Sequence, residues 1–407
     1  MQDHRRLGRE LELFHSDPLI GAGLPLWLPR GAAARRAVED YLLDLERRHG
    51  YQHVYSPPLA KAEMYYRSGH LPHYADDMFP PMELDADNAF VLRPSLCPHH
   101  AAVFNARGRS YRELPLRIGE IGGQYRAERS GVLGGLARVR AISLNDGHVF
   151  CAEDAVEGEV VAALEVMKEA HAALGFEPSS WRLSLRGDGD KYVDDPPMWD
   201  RATAALRRAL EAAGVPYEEA PGEAAFYGPK IDIQLRDHAG RESTLATVQV
   251  DYFMPGRFDL SYVDAGGARR RPAMVHRSAA GSMERLFAHL IEVHDGAFPA
   301  WYAPVQLEVL PVGDAAVRGF ADRCRALGLR IEEVYNGSLG ARIRDAARRK
   351  VPYVAVLGAN ELAAGTVSLR SRDGAVSQLA VEAALERLLS ACRPPKHAGV
   401  AGSSVSV

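Results

Sequence analysis

The chain has 407 residues, of which 47% are hydrophobic and 25% are charged, and its formal net charge is −4. This length predicts about two to three domains, and the composition is typical of a globular protein rather than a disordered or fibrous one. The charge excludes a protein that coats nucleic acid through bulk positive charge, and no apolar run reaches the roughly 18 residues of a membrane-spanning helix.

Four cysteines are scattered along the chain without CxxC spacing: Cys97, Cys151, Cys324 and Cys392. In a chain of this length, that usage predicts a reducing, cytoplasmic setting without a disulfide framework. The N-terminus, Met-Gln-Asp-His-Arg-Arg, lacks the apolar segment of a signal peptide. Two basic runs, residues 269–271 and 342–350, could contact nucleic acid, although a short charged run is more often a solvated face.

In the first part of the chain, hydrophobic spacing and proline positions predict helices and short strands. Apolar residues at helical spacing predict a helix within residues 3–14, and prolines among apolar residues predict a turn into a strand over 21–30. Residues 32–49 predict a strong helix that ends at Gly50, where glycine is favoured. A short strand over 51–55 follows and runs into Pro57, and another helix begins near Pro98.

The middle of the chain predicts a set of strands with helices between them. Apolar or alternating residues predict strands over 114–125, 139–150, 181–185, 231–235, 247–252 and 272–277. Helical spacing predicts helices over 152–174, 200–214 and 283–294.

A segment rich in proline and aromatic residues, 298–304, predicts a domain boundary. Beyond it, strands over 305–312, 330–335, 353–357 and 366–370 alternate with helices over 315–327, 339–350 and 381–392. This alternation predicts a small α/β domain around a mixed sheet. Residues 393–407 are rich in Pro, Gly and Ser and predict a disordered tail.

Residues 126–140, Arg-Ala-Glu-Arg-Ser-Gly-Val-Leu-Gly-Gly-Leu-Ala-Arg-Val-Arg, lie between two predicted strands. Glycine lets a backbone approach a ligand closely, and arginine presents a planar fork to phosphate or carboxylate oxygens. The segment therefore favours an anion-binding loop. On this segment alone, a solvated basic hairpin is an equally good interpretation.

Three segments, in order, resemble the motifs of class II aminoacyl-tRNA synthetases. The helix, strand and Pro57 resemble motif 1, and Arg126-Ala-Glu with the glycine-rich loop and Arg138-Val-Arg resembles motif 2. Gly281-Ser-Met-Glu-Arg, between a predicted strand and a helix, matches motif 3 without a change. Phe226-Tyr-Gly-Pro-Lys is similar to the threonyl-tRNA synthetases in particular.

The resemblance extends over about residues 1–392 and implies an α+β fold. The class II catalytic domain, an antiparallel sheet with flanking helices, is implied over residues 1–300. A small α/β anticodon-binding domain is implied over residues 301–392, followed by the tail over 393–407.

One implied set of residues serves the nucleotide. Family motif-2 and motif-3 arginines contact the α-phosphate and the γ-phosphate, which implies these roles for Arg126 and Arg285. Fixed cations that meet negative charge growing on phosphate oxygens lower the barrier to adenylate formation. The implied ATP-binding residues are Arg126, Glu128, Arg138, Gln249, Ser282 and Arg285, and the implied catalytic residues are Arg126, Arg285 and Lys230.

The resemblance also implies a metal site that spacing alone would not reveal. Cys97, His148 and His276 follow no local metal rule, and each would otherwise be an ordinary structural residue. In threonyl-tRNA synthetases, one Cys and two His at these places bind one Zn²⁺ per subunit, which leaves an open position. The substrate amine and hydroxyl can chelate there, so valine is rejected better than a hydrophobic pocket could reject it. The implied threonine-binding residues are Asp146, Tyr227 and Arg126.

The implied function is ATP-dependent activation of L-threonine, with Mg²⁺, and its transfer to tRNA(Thr). A homodimer without membrane association is implied. Asn336, Glu361 and Arg370 match family positions that read anticodon bases, and Arg–guanine and Glu–cytosine pairs suit donor and acceptor geometry. Taken alone, Glu361 would be a residue of a solvated loop.

The chain departs from the family at several positions. Leu96 replaces an Asn before the zinc Cys, His99 replaces a Gly, Leu144 replaces a Gln near the substrate, and Ala127 replaces the Asn of motif 2. We expect His99 to add a side chain beside the metal and Leu144 to alter the amino-acid pocket. We also expect the family's amino-terminal domains to be absent, including the domain that removes mischarged serine.

Two other functions remain open. One is a paralogue that binds tRNA or amino acid without completing aminoacylation, and the other is an enzyme that activates threonine for a non-tRNA acceptor. The substituted pocket also fits a duplicate enzyme with altered inhibitor or amino-acid tolerance. Intact Arg126, Arg138, Arg285 and zinc ligands favour the enzyme, and the anticodon residues argue against another acceptor.

Overall fold

The structure, a computed structural model, describes residues 2–85, 88–313 and 315–395. Its first part contains one long helix among short elements. In chain order these are α1 (His4–Glu10), β1 (Phe14–His15), β2 (Leu26–Trp27), α2 (Pro29–Arg48), β3 (Gln52–His53), β4 (Leu59–Lys61), α3 (Ala62–Arg67), α4 (His70–Tyr74), β5 (Met82–Asp85), β6 (Asn88–Leu92) and α5 (Cys97–Asn105).

The middle of the chain supplies most of the large sheet. Its elements are β7 (Leu116–Tyr125), β8 (Ala141–Cys151), α6 (Val156–Leu174), β9 (Ser180–Leu185), α7 (Pro196–Ala212), β10 (Glu218–Pro221), β11 (Lys230–Arg236), β12 (Glu242–Asp251), α8 (Met254–Arg257), β13 (Tyr262–Val263), β14 (Arg269–Arg270), β15 (Ala273–Arg277) and α9 (Met283–Val293).

Eight strands form this sheet in the order β10-β9-β11-β12-β15-β8-β7-β3. The pairs from β9 to β7 are antiparallel, whereas β10 pairs with β9 and β3 pairs with β7 in parallel. The predicted antiparallel sheet is therefore confirmed in its centre, and the sheet as a whole is mixed. The predicted strand over 51–55 is only the two-residue edge strand β3.

Alternation along the strands separates apolar from polar side chains, because successive residues point to opposite faces. Ile231, Val248 and Val275 lie on the face that packs against α2, α6, α7 and α9 in the main hydrophobic core. The opposite face carries polar residues around a cavity. These include Lys230 of β11, Thr247 and Gln249 of β12, Asp146 and His148 of β8, and His276 of β15.

The long helices begin and end at residues suited to helix ends. Pro29 opens α2, where its missing N–H has no helical partner anyway. Gly50 and Gly175 follow α2 and α6 with φ values of 81° each, a left-handed conformation that favours glycine. The helices predicted over 32–49 and 152–174 are confirmed, with α2 beginning three residues earlier and a short 3₁₀ turn, Glu153–Ala155, preceding α6.

The rest of the described chain forms a second domain, residues 305–392. Its elements are β16 (Leu307–Pro311), α10 (Arg318–Ala326), β17 (Ile331–Glu333), α11 (Leu339–Arg348), β18 (Tyr353–Leu357), α12 (Ala359–Ala364), β19 (Thr366–Ser371), β20 (Val376–Ala380) and α13 (Val381–Cys392). The sheet order is β17-β16-β18-β19-β20, with parallel pairs up to β18 and antiparallel pairs after it. The predicted mixed sheet is confirmed, and α12 and β20 are additional elements.

The first domain ends with a buried aromatic segment. Trp301, Tyr302 and Ala303 are buried in its core, so we refer to residues 2–303 as the first domain. Arg30 of α2 pairs with Glu332 of the second domain at 2.9 Å. Most of the predicted tail, residues 396–407, lies outside the described residues. Within the described residues, no helix is long and apolar enough to cross a membrane.

Candidate active site

A cavity of about 530 Å³ opens on the polar face of the large sheet. Most of the site residues predicted from the sequence line it. They are Cys97, Arg126, Asp146, His148, Tyr227, Lys230, Gln249, His276, Ser282 and Arg285. Residues separated by up to 188 positions therefore share one cavity, which contains both cationic groups and soft metal-ligand atoms.

Cys97, His148 and His276 meet in the buried part of this cavity. One ligand atom from each lies within 4.8 Å of the others, and all three residues are buried. The two histidines face each other across the β8–β15 pair, with His148 Nε2 and His276 Nδ1 3.1 Å apart. Cys97 is the first residue of α5, which packs against the same face of the sheet.

Hydrogen bonds fix how the two histidine rings are oriented. His276 Nε2 donates to the carboxylate Oδ2 of Asp251 at 2.9 Å, which leaves the lone pair of Nδ1 directed at the ligand cluster. On the other side, the Nδ1 atoms of His148 and His100 are 2.7 Å apart, and His100 Nε2 lies 3.4 Å from Glu120 Oε2. Such outer partners orient metal-binding histidines in known sites.

This donor set fits a zinc ion. Burial lowers the pKa of His148 well below its ordinary value, so the ring is neutral and its nitrogen lone pair is available. Burial also raises the pKa of the Cys97 thiol, so the sulfur needs a bound cation to become a thiolate. One sulfur and two imidazole nitrogens form a typical zinc set, and three protein ligands would leave one position open.

Cys97 is supported by a chain of polar groups that sequence analysis did not identify. Ser95 Oγ lies 3.3 Å from Cys97 Sγ and 2.9 Å from His70 Nε2. The other ring nitrogen of His70 lies 2.8 Å from Ser68 Oγ. Both His70 and Ser95 line the cavity, but neither belongs to a recognisable motif, so no local signal identified them.

A carboxylate and a phenolic hydroxyl lie beside the two histidines in the cavity. Burial raises the pKa of Asp146 to about 6, with the charges of His100, His276 and Arg277 opposing this rise. The Tyr227 ring stacks on His276, with centroids 5.1 Å apart, and its hydroxyl donates to Gln249 Oε1 at 2.6 Å. This part of the cavity can accept an ammonium group and contact a small side chain.

Arginines dominate the other end of the cavity. Arg126 Nε is buried and has no hydrogen-bond partner among the described residues. A buried charged donor without an acceptor is costly, so an anionic ligand is the group that would satisfy it. Burial lowers the pKa of Arg285 to about 10, and the charges of Arg126 and Arg138 add to the effect. An anion between these arginines would relieve their mutual repulsion.

Arg285 is fixed by backbone groups rather than by a carboxylate. Its Nε donates to the Ala137 carbonyl at 3.1 Å and its Nη1 to the Thr244 carbonyl at 2.5 Å. Ser282 caps α9, because its hydroxyl accepts a hydrogen bond from Arg285 N at 3.1 Å. The Lys230 ammonium pairs with the buried Asp232 at 2.5 Å, although its side chain lines the cavity.

Two predicted nucleotide residues lie beside the cavity rather than in its lining. Glu128 Oε2 and Arg138 Nη2 form an ion pair at 2.8 Å within the loop after β7. Among the described residues that line the cavity, neither is present. Their pairing satisfies both charges in this structure.

A buried ion pair near the site was also not predicted from the sequence. Glu46 of α2 and Arg277 at the end of β15 are both fully buried, with 2.6 Å between Glu46 Oε1 and Arg277 Nη1. Asn145 donates to the same carboxylate oxygen at 2.7 Å, and the Arg277 side chain reaches the cavity lining. The pair connects the long helix α2 to β15, the strand that carries His276, and Asn145 connects the same carboxylate to β8.

The substituted positions have different surroundings. Leu144 lines the cavity, as expected. The expectation that His99 adds a side chain beside the metal is wrong, since neither His99 nor Leu96 is among the described lining residues. The His99 ring instead lies 6.5 Å from the Tyr65 ring, because a residue two positions after Cys97 projects from nearly the opposite side of α5.

The three predicted anticodon residues lie on the second domain. Asn336 and Glu361 follow the carboxyl ends of the parallel strands β17 and β18 and share one edge of the sheet. Arg370 pairs with Val354 near the start of β18, toward the other edge. Glu361 lies within α12, not in a solvated loop, and its Oε2 accepts from Gly358 N at 2.9 Å.

Comparison with known proteins supports both domains. Residues 82–294 match the family model of the tRNA synthetase class II core domain (G, H, P, S and T), and residues 306–391 match the anticodon binding domain. The threonine--tRNA ligase of Staphylococcus carnosus is 46% identical over 94% of this chain and 60% of its own length. The chain thus spans about three fifths of the curated relatives that it matches.

Solved structures agree in fold. The structure described as the RNA binding domain of threonyl-tRNA synthetase from Cryptosporidium parvum Iowa II has a TM-score of 0.91 and 31% identity, covering 97% of this chain and 99% of that one. A putative threonyl-tRNA synthetase from Aeropyrum pernix has a TM-score of 0.80 and 26% identity, covering 97% and 98%. The chain therefore belongs to the class II tRNA synthetases with the core of the G, H, P, S and T enzymes, within the threonyl group.

Proposed function

We propose that this chain activates L-threonine with ATP and transfers it to tRNA(Thr), as the names of its relatives suggest. One observation carries the proposal: a cluster of Cys97, His148 and His276 shares a cavity with Arg126, whose buried Nε has no hydrogen-bond partner among the described residues. The cluster provides soft metal ligands, and the guanidinium provides a site for an anion. A substrate with an amine, a hydroxyl and a carboxylate near a phosphate matches that combination.

The amino-acid end distinguishes threonine from valine. A bound Zn²⁺, one per subunit, would supply a Lewis-acid position that the substrate amine and hydroxyl occupy together. Asp146 accepts the substrate ammonium, and Tyr227 closes the wall against the methyl group. Valine offers no hydroxyl, so it leaves that position unfilled and is rejected by on the order of 10⁴-fold.

The nucleotide end stabilises charge on phosphate. A carboxylate oxygen of threonine attacks the α-phosphorus of ATP, the bond to the bridging oxygen breaks, and pyrophosphate leaves with the electron pair. Arg126 contacts the carboxylate and the α-phosphate, and Arg285 contacts the γ-phosphate, with Mg²⁺ accompanying ATP. Ser282 and Gln249 bind the nucleotide from the cavity wall, and Lys230 contributes positive charge.

The loop after β7 completes the ATP site. In the proposal, Glu128 reads the adenine amino group and Arg138 contacts phosphate, so their present ion pair opens when ATP binds. Side chains exchange such surface pairs at low cost, because exposed ion pairs contribute only about 0–1 kcal/mol. Arg138 is exposed by half of its side-chain surface, which agrees with this exchange.

The second domain recognises RNA, and the active assembly is a homodimer. Asn336, Glu361 and Arg370 are the proposed anticodon readers. The described chain has no bulk positive charge, so recognition depends on these local contacts. Four buried, free cysteines support the proposed reducing, cytoplasmic setting.

The test is ATP–pyrophosphate exchange by the purified, zinc-replete chain with threonine, serine and valine. We expect exchange with threonine, weaker exchange with serine and none with valine. Cys97→Ala should abolish exchange and lower the zinc content. Cys151→Ala is the matched control, because Cys151 is equally buried in the hydrophobic core away from the cavity.

Each contrary outcome points to a different function. Absence of exchange with all three amino acids, in a protein that binds zinc, contradicts catalysis and leaves a binding paralogue. Exchange with threonine but no charging of a tRNA(Thr) transcript would favour a non-tRNA acceptor.

A further inference from the structure

A buried carboxylate connects the N-terminal helix to the helix that carries Arg285. Glu292 of α9 is 2% exposed, and its Oε1 lies 2.7 Å from His4 Nδ1 and accepts from His4 N at 3.2 Å. On its other side, Oε2 accepts from His238 N at 2.7 Å, and His238 Nδ1 lies 3.0 Å from Oε1. Two histidines therefore share one carboxylate, but they approach it from different segments.

Among the described contacts of these two histidines, it is His4 that touches the loop between β7 and β8. The backbone N–H of Leu136, a fully buried residue, donates to His4 Nε2 at 3.2 Å. Gly135 beside it has φ +54°, and a side chain there would overlap the His4 ring. The loop backbone and the imidazole are thus in direct contact.

These bonds determine the tautomer of His4. Because Nε2 accepts from an amide, its lone pair is free of a proton, and the ring proton must lie on Nδ1. Nδ1 then donates to Glu292. The carboxylate therefore keeps the ring in the single form that can accept from the loop.

The part of the loop that His4 contacts also contacts Arg285, one of the arginines at the proposed nucleotide end of the site. Residues 134–138 form a tight hairpin, with Gly134 N donating to the Arg138 carbonyl at 3.2 Å and Ala137 N to the Gly134 carbonyl at 2.9 Å. Arg285 Nε donates to the Ala137 carbonyl from the opposite side. The hairpin is thus held between His4 and Arg285.

We infer that His4 is a positioning residue of the ATP site, which aligns the hairpin 134–138 and the Arg138 side chain at its end. Glu292 acts through His4 by fixing its tautomer. His4 itself does not touch the substrate. This inference rests on the proposed function for the identity of the nucleotide, and its geometry stands on the described contacts.

Two near-isosteric variants separate the two bonds of His4. In His4→Gln, the amide oxygen occupies the place of Nε2 and can accept from Leu136 N, while the side-chain bond to Glu292 is lost and the backbone bond remains. In His4→Asn, the amide occupies the place of Nδ1 and keeps the bond to Glu292, while the acceptor for Leu136 is lost. His238→Ala is the matched control, because it removes a partner of Glu292 without reaching the loop.

The readouts are the KM values for ATP and threonine in pyrophosphate exchange. We expect His4→Asn to raise the KM for ATP about tenfold, about 1.4 kcal/mol, with the KM for threonine unchanged. His4→Gln and His238→Ala should stay within about twofold of the unsubstituted chain. The opposite order, with His4→Gln impaired and His4→Asn normal, would mean that His4 only supports Glu292 and would overturn the inference.

A second measurement does not depend on activity or on the variants folding. Hydrogen exchange of the Leu136 amide in the unsubstituted chain should be slowed at least about 100-fold relative to an unstructured peptide. Exchange at the unstructured rate would overturn the proposed contact. Slow exchange of this amide in a chain without pyrophosphate exchange would retain the positioning contact and contradict the proposed activity instead.

Discussion

The buried pair of Glu46 and Arg277 gives the sharpest stability prediction. Both side chains are removed from solvent, and Glu46 also accepts from Asn145 at 2.7 Å and lies 2.8 Å from His53 Nε2. Burial alone would lower the pKa of Arg277, but the Glu46 carboxylate more than offsets it and the pKa is raised. Arg277 stays charged when Glu46 is removed, because a guanidinium is not deprotonated in proteins.

Glu46→Ala leaves that charge without its counter-ion. Removing one partner of a buried pair costs about 3–5 kcal/mol, because the remaining charge keeps its desolvation penalty. The guanidinium has little to replace the carboxylate, since Arg277 Nε and Nη2 already lack hydrogen-bond partners among the described residues. We expect the free energy of unfolding of the first domain to fall by about that amount.

Urea unfolding followed by tryptophan fluorescence measures this domain alone, because all four tryptophans lie in it: Trp27, Trp181, Trp199 and Trp301. Asp40→Ala on the same helix is the control. Its partner Arg36 is 73% exposed, so we expect a change of about 0.5 kcal/mol or less.

A double variant tests the reason for the loss. Glu46→Leu combined with Arg277→Met removes both charges, and we expect it to cost less than Glu46→Ala alone. A loss below about 1 kcal/mol for Glu46→Ala, or a double variant as unstable as the sum of the two single ones, would refute the argument from an unpaired buried charge.

Three further predictions follow from single contacts. Asp251→Asn replaces the charged carboxylate that accepts from His276 Nε2 by a neutral amide and should weaken zinc binding about 10–100-fold in competition with a chelator. Arg126→Lys replaces the fork by a point charge and should lower kcat for pyrophosphate exchange about 10²-fold. Burial raises the pKa of Glu308 in the folded chain to about 7, although the Arg349 guanidinium lies 2.7 Å from its carboxylate. In the unfolded chain the same carboxyl has a pKa of about 4.5, so as pH rises it loses its proton there before it does in the folded chain. Stability of the second domain should therefore fall by at most about 3 kcal/mol up to pH 7, and Glu308→Gln should abolish the fall when hydrogen exchange of β16 is compared at pH 5 and pH 8.

Local sequence was sufficient to predict elements that bury an apolar face. The predicted ranges of β18 (Tyr353–Leu357) and α13 (Val381–Cys392) agree with the structure residue by residue. In both elements the hydrophobic periodicity extends from the first residue to the last, and it can be read from neighbouring residues in the sequence alone. In the second domain the elements that were missed are α12 and β20, neither of which has a buried residue, and β20 depends on its pairing with β19. Short strands gain stability mainly from such tertiary pairing, which local periodicity does not record.

The assembly of the site residues depends on tertiary structure rather than on local sequence. Alternation within each strand determines that Asp146 and His148 share a face, which the sequence by itself contains. The register between β8 and β15, which sets His148 opposite His276, is fixed by hydrogen bonds between residues 128 positions apart. Cys97 joins them only because α5 packs on that face. Resemblance alone pointed to the three proposed ligands, whereas their distances follow from long-range register and helix packing, which depend on the whole folded chain.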